Sequence, residues 1–134
     1  MKDRICLITG GTSGIGKAAA LDLARMNATV VIVGRDEEKC KVTAEEIERE
    51  TGNNIQHFLA DFSSQKSIRN LAKNFKKKFK RLDVLINNAG TISHKRTLTE
   101  DGLETTFAVN HLGYFLLTLL LLGIVKKSKS PRIV

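Results

Sequence analysis

The stretch Ile8-Thr9-Gly10-Gly11-Thr12-Ser13-Gly14-Ile15-Gly16 limits what this chain can fold into more than any other. Ahead of it, Ile5-Cys6-Leu7-Ile8 is a short, continuous apolar run, the pattern of a strand buried on both faces of a parallel sheet. Behind it, Ile15 to Met26 is rich in Ala and Leu and reads as a helix, and Thr29 to Val33 is a second buried strand. A strand that feeds a glycine turn opening a helix leaves unpaired N–H groups and the positive helix end facing outward, where a phosphate can approach. The glycines are spaced as GxxxGxG rather than GxGxxG, so the usual dinucleotide fingerprint fails in letter while its mechanism is kept.

The alternation continues. Asp36 is placed to N-cap a helix that opens with Glu37 and Glu38 and stops at Gly52, and Ile55 to Ala60 is a third strand. From Ser64 onward, Ile68, Leu71, Ala72, Phe75 and Phe79 recur at helical spacing and paint one apolar face, with most of the lysines elsewhere. Leu82 to Ile86 is a fourth strand. A capping box from Thr97 to Glu100, or a cap at Thr99, is expected to start the helix that carries the leucine run 116–122. Ile133 and Val134 read as the opening of a fifth strand. Strands alternating with helices predict an α/β fold, a doubly wound Rossmann-type parallel sheet in the order 3-2-1-4-5, with residues 1–134 as one dinucleotide-binding domain incomplete at its C-terminal end.

Composition narrows the class. With 42% hydrophobic and 27% charged residues and one proline, the chain is neither disordered nor fibrous. Cys6 and Cys40 form no CxxC pair, and His57, His94 and His111 are scattered, so no metal site is expected and the cysteines read as ordinary thiols of a reducing compartment. No signal peptide is read at the N-terminus, and the apolar run Tyr114 to Val125 is too short to span a bilayer, so a cytoplasmic protein is expected. The net charge of +8 is local. Lys73, Lys76, Lys77, Lys78, Lys80 and Arg81, with Lys126, Lys127, Lys129 and Arg132, form two runs free of acids, a face suited to nucleic acid, to an anionic membrane or simply to water. Nucleic acid is the less favoured partner, because Phe75 and Phe79 are committed to the core face.

Three motifs in order, TGGTSGIG after the first strand, LADF after the third and NNAG after the fourth, resemble the short-chain dehydrogenases/reductases. The stretch TEDGLETTFAVNHLGYFLLT is most similar to the retinol-dehydrogenase-type members. The resemblance implies that Gly10, Gly14 and Gly16 shape a pyrophosphate loop, with Thr12, Ser13 and Ile15 offering donors. It implies that Asp61 accepts from the adenine amino group, that the Phe62 N–H meets the ring, and that Asn87, Asn88, Ala89 and Gly90 close over the adenosine side. Where an acid would favour NAD, the second strand ends at Gly34-Arg35; a guanidinium suits a 2′-phosphate, so NADP(H) is expected over NAD(H).

The same resemblance implies hydride transfer between nicotinamide and an alcohol or carbonyl carbon, with a tyrosine, lysine, serine and asparagine as the catalytic set. Asn110 matches the asparagine. The serine and the YxxxK pair have no counterpart in these 134 residues: the one tyrosine, Tyr114, has Thr118 at i+4 and reads as packing. The chain is therefore expected to be the first portion of a longer protein. Two functions follow: an NADP(H)-dependent oxidoreductase acting on a small-molecule, plausibly lipophilic, alcohol or carbonyl, or a nucleotide-binding module without catalysis. The resemblance implies that the 114–125 helix packs against a partner subunit, so it reads as an association face between copies of the chain rather than as a purely intrachain core or a membrane contact.

Overall fold

The computed structural model describes residues 1–134. A five-stranded parallel sheet, ordered β3-β2-β1-β4-β5, holds β1 (Ile5–Thr9), β2 (Thr29–Gly34), β3 (Gln56–Leu59), β4 (Val84–Ile86) and β5 (Arg132–Ile133), the order the sequence predicts. β1 is central. Its Leu7 stands in register with Val31 on one side and Leu85 on the other.

Side chains alternate across a sheet, and here both faces are covered. Leu7, Val31, Val33 and Leu85 pack on one face with Ile68, Leu71, Ala72 and Phe75 of α3 (Gln65–Lys78) and Leu117 and Leu121 of α5 (Gly113–Val125). Cys6, Ile8, Val30, Ile32 and Val84 pack on the other with Ala20 and Ala24 of α1 (Gly14–Arg25) and Ala44 and Ile47 of α2 (Glu37–Thr51). Burial of each large side chain contributes roughly 1.5–3 kcal/mol, which is why the strands read as unbroken apolar runs.

Helix ends follow local chemistry. The Asp36 carboxylate accepts from the Lys39 N–H and the Ser64 hydroxyl from the Ser67 N–H, fixing the starts of α2 and α3. Phe79 is the C-cap of α3 rather than its last turn, yet it stays buried and stacks on Phe75 with ring centroids 4.7 Å apart.

Two expectations are corrected. No helix starts at Thr97 or Thr99. Leu98 bridges antiparallel to Glu104, and Thr99 and Thr105 tie this loop shut through bonds to Leu103 and Thr97. The helix begins instead at α4 (Thr105–Phe107), where the Glu104 carboxylate accepts from the N–H groups of Thr106 and Phe107 at 3.0 and 2.8 Å. Those bonds, the Phe107 one first, hold the Glu104 carboxyl below its ordinary range. The apolar helix is also longer than the run 114–125. α4, a π-helical turn at Ala108–Leu112 and α5 join into 21 residues with an 18-residue window of mean hydropathy 1.9, enough by length and composition to cross a bilayer, although Leu117, Leu121, Ile124 and Val125 face the core.

Candidate active site

The strands on either side of β1 lead to opposite halves of the sheet, and a cleft opens at its carboxyl end at that switch point, where ligands of open α/β sheets bind. The cleft holds about 270 Å³ and is lined by Gly10, Thr12, Ser13, Val33, Gly34, Arg35, Ala60, Asp61, Phe62, Asn88, Ala89, Gly90, Thr91 and Val109. Residues from all three predicted motifs thus meet in one cavity. Gly14, Ile15, Gly16 and Asn110 lie outside the lining, with Ile15 83% exposed at the rim.

Ser13 precedes α1 in extended conformation and gives it no side-chain cap, so the first-turn N–H groups, which lack intrahelical partners, are left for an anion. Gly14 sits at φ +53°, a conformation that favours glycine. Gly16 is needed for a different reason: a Cβ there would collide with the Gly10 carbonyl oxygen and Asn88 Nδ2.

That close approach exists because the NNAG turn is bolted to the glycine loop. Asn88 Nδ2 donates to the carbonyls of Thr9 and Gly10 at 3.0 and 3.2 Å. The buried Thr9 hydroxyl accepts from the N–H groups of Asn88 and Ala89 at 2.9 and 3.0 Å and donates to the Ile86 carbonyl. Asn88 therefore braces the loop as well as lining the cleft. Sequence reasoning missed Thr9, whose one signal is a hydroxyl at the end of an otherwise apolar strand.

The other predicted residues are placed as follows. Asp61 accepts from the Ser63 N–H and hydroxyl through one oxygen, at 2.8 and 2.7 Å, while Ser64 caps α3. Arg35 is exposed at the end of β2, and the neighbouring acid, Asp36, is engaged as the α2 cap. Asn110 lies in the π-helical turn, a local widening frequent at functional sites. Its side chain clamps Thr91, accepting from the N–H and donating to the carbonyl, both at 2.8 Å. Tyr114 donates to the Ala89 carbonyl and meets Phe62 edge-on at 6.3 Å. Burial raises its pKa, the opposite of what a proton-transfer phenol needs.

Fold and cleft together define a Rossmann-type domain with a ligand site at its switch point. The short chain dehydrogenase family model matches residues 4–134, and the chain belongs to that family. It is 48% identical to human dehydrogenase/reductase SDR family member 12 over 98% of this chain and 41% of that protein. To human retinol dehydrogenase 13 it is 46% identical over 96% of this chain and 39% of that one. The chain thus spans about two fifths of the length of these curated relatives. Among solved structures, a short chain dehydrogenase of Escherichia coli CFT073 complexed with NADPH superposes with a TM-score of 0.88 at 33% identity, over 99% of this chain and 57% of that one.

Proposed function

We propose that the cleft binds NADP(H) and that the chain serves an oxidoreductase that moves hydride between the nicotinamide and an alcohol or carbonyl carbon of a small, lipophilic molecule. The observation that carries the cofactor reading is the cleft lining itself: phosphate-ready glycine loop, Asp61 and Arg35 in one cavity, with Asp36 withdrawn as a helix cap. The NADPH-complexed neighbour and the retinol dehydrogenase relatives support it. In this reading the first turn of α1 and Thr12 and Ser13 hold the pyrophosphate, Asp61 and the Phe62 N–H the adenine, and Arg35 the 2′-phosphate. Asn88 and Asn110 brace the walls, by the bonds given above. The nicotinamide supplies the hydride.

Arg35→Ala tests the cofactor. Titration of the chain with NADPH and NADH, followed by nucleotide fluorescence, is expected to show NADPH bound more tightly, and the variant to lose about tenfold or more for NADPH alone, as befits one charge-assisted bond. Equal affinity for both nucleotides in the unaltered chain defeats the NADP(H) reading.

A second reading, binding without catalysis by these 134 residues, is favoured by Tyr114, since the only tyrosine is spent on the Ala89 carbonyl. Hydride transfer by the chain alone, measured as NADPH absorbance loss with an aldehyde, rejects it. Pairing of two copies through the exposed Phe115 and Leu119 of α5 is proposed as well, and a cytoplasmic location; sedimentation and cell fractionation test them.

A further inference from the structure

Helix α2 contains two threonines, and they use their hydroxyls differently. Thr51 donates to the Ile47 carbonyl one turn back at 2.8 Å, the usual choice for a threonine inside a helix. Thr43 leaves its own helix: its hydroxyl donates to the Thr12 carbonyl at 3.3 Å, across 31 residues of sequence. Thr43 is 4% exposed, so this bond also supplies the partner that a buried hydroxyl needs. Cys40, about one turn earlier, supports the same corner. The Cβ that Gly34 lacks would stand 2.6 Å from Cys40 Sγ and 2.8 Å from the Thr12 methyl, so thiol and methyl close over Gly34. Thr12 and Gly34 line the cleft while Cys40 and Thr43 do not, which places α2 behind this wall. Ala44 and Ile47 fix α2 in turn, since both are packed in the core with Ala20 and Ala24 of α1.

We infer that Thr43 is a positioning residue for the dinucleotide: by holding the Thr12 carbonyl back against α2, it aims the Ser13 N–H into the cleft. The two groups belong to one peptide unit, and in a planar trans peptide the N–H points opposite to the carbonyl. The Ser13 N–H has no acceptor within the chain, and Ser13 lines the cleft. An N–H so placed serves an anion, here the pyrophosphate, and the inference therefore rests on the dinucleotide reading of the cleft. It goes beyond that reading by dividing the labour around α2. Arg35, just before the helix, chooses between nucleotides, whereas Thr43 acts on the pyrophosphate that NADPH and NADH share. Without the Thr43 hydroxyl the Thr12–Ser13 peptide is free to turn, and a carbonyl that repels phosphate can then face the cleft in place of the N–H.

The test compares the parent chain with Thr43→Val, which keeps the shape and loses the hydroxyl, and with Thr43→Ser, which keeps the hydroxyl. NADPH and NADH are titrated by nucleotide fluorescence, and adenosine 2′-monophosphate, which has no pyrophosphate, by amide NMR of the isotope-labelled chain. Thr43→Val is expected to weaken both dinucleotides by the same factor, about tenfold, the worth of one hydrogen bond to a charged group, and to leave adenosine 2′-monophosphate unchanged. Thr43→Ser is expected to bind all three as the parent does. The Ser13 amide signal should shift with NADPH in the parent and in Thr43→Ser, and hardly move in Thr43→Val. A parent that binds neither dinucleotide overturns the dinucleotide reading and this inference with it. If the parent binds them and Thr43→Val matches it, the inference alone falls. It falls equally if Thr43→Val loses adenosine 2′-monophosphate as strongly as the dinucleotides, the mark of a general loosening, or if Thr43→Ser is as weak as Thr43→Val.

Discussion

The two ends of the parallel sheet are made of different materials. At the carboxyl end, the cleft is shaped by backbone: glycines that admit close approach, an uncapped helix start, and Thr9 and Asn88 bracing two turns through main-chain groups. At the amino end, side chains dominate. Asp83, 5% exposed, accepts from the Ile5 N–H at 2.8 Å, the Arg81 guanidinium at 2.9 Å and the Ser128 hydroxyl at 2.5 Å, and around that one buried acid stand the unneutralised cations. The first end leaves no room for an added atom at Gly16 and offers dipoles; the second offers net charge. A site of the first kind suits a ligand of fixed shape, and a surface of the second kind presents charge without a fixed shape.

The sharpest way to break this contrast is a single methyl group. Gly16→Ala places a Cβ against the Gly10 carbonyl oxygen and Asn88 Nδ2, neither of which can yield without opening the brace. The expected loss is about 3 kcal/mol in thermal or urea unfolding, with nucleotide binding abolished. Gly14→Ala has nothing within 4 Å of its Cβ, and its cost is only the strain of φ +53°, about 1 kcal/mol. If the two variants prove equally stable, close approach is not what shapes this end.

Thr9→Val asks whether the brace depends on its hydroxyl. The swap keeps the shape and leaves the Asn88 and Ala89 N–H groups without their acceptor, an expected loss of about 2 kcal/mol, with weaker nucleotide binding from a loosened turn. Thr9→Ser keeps the acceptor and should recover most of both. A Ser variant as damaged as the Val variant would assign the residue's importance to its methyl group instead.

This difference in materials also explains what could be read from the sequence. The carboxyl end was legible because its parts are local and ordered: a glycine loop after one strand, an aspartate after another, an NNAG turn after a third. Each needs only its own neighbours to be recognised. The strand order followed from the same alternation. Thr9 was not legible, because its partners lie in a turn some eighty residues away and become neighbours only when β1 and β4 pair. The false helix start at Thr97 has a similar cause. The capping pattern is present in the letters, but the Leu98 to Glu104 bridge claims that backbone first, and Glu104 offers two N–H bonds where Thr97 would offer one. The basic pole was visible as two runs and not as one surface, since nothing in the sequence sets α3 beside α5.

Asp83 gives the amino end its own, smaller, test. Burial pushes its carboxyl upward, but the bonds from Ile5, Ser128 and Arg81 outweigh that, and the net pKa lies below the ordinary 3.8. A folded-state pKa below the unfolded one stabilises the fold at every pH above the unfolded value, near 4, and that contribution fades as pH falls through the folded value. Asp83→Asn keeps the shape and removes the charge, so it should cost about 1.5 kcal/mol at neutral pH. The gap between parent and variant should stay constant from neutrality to about pH 5 and close below pH 4, where the parent's own carboxyl takes up its proton. Urea unfolding across that range measures it. A gap that persists unchanged into strong acid would mean that geometry, not charge, is what Asp83 contributes, and the amino end would then resemble the carboxyl end more than the contrast allows.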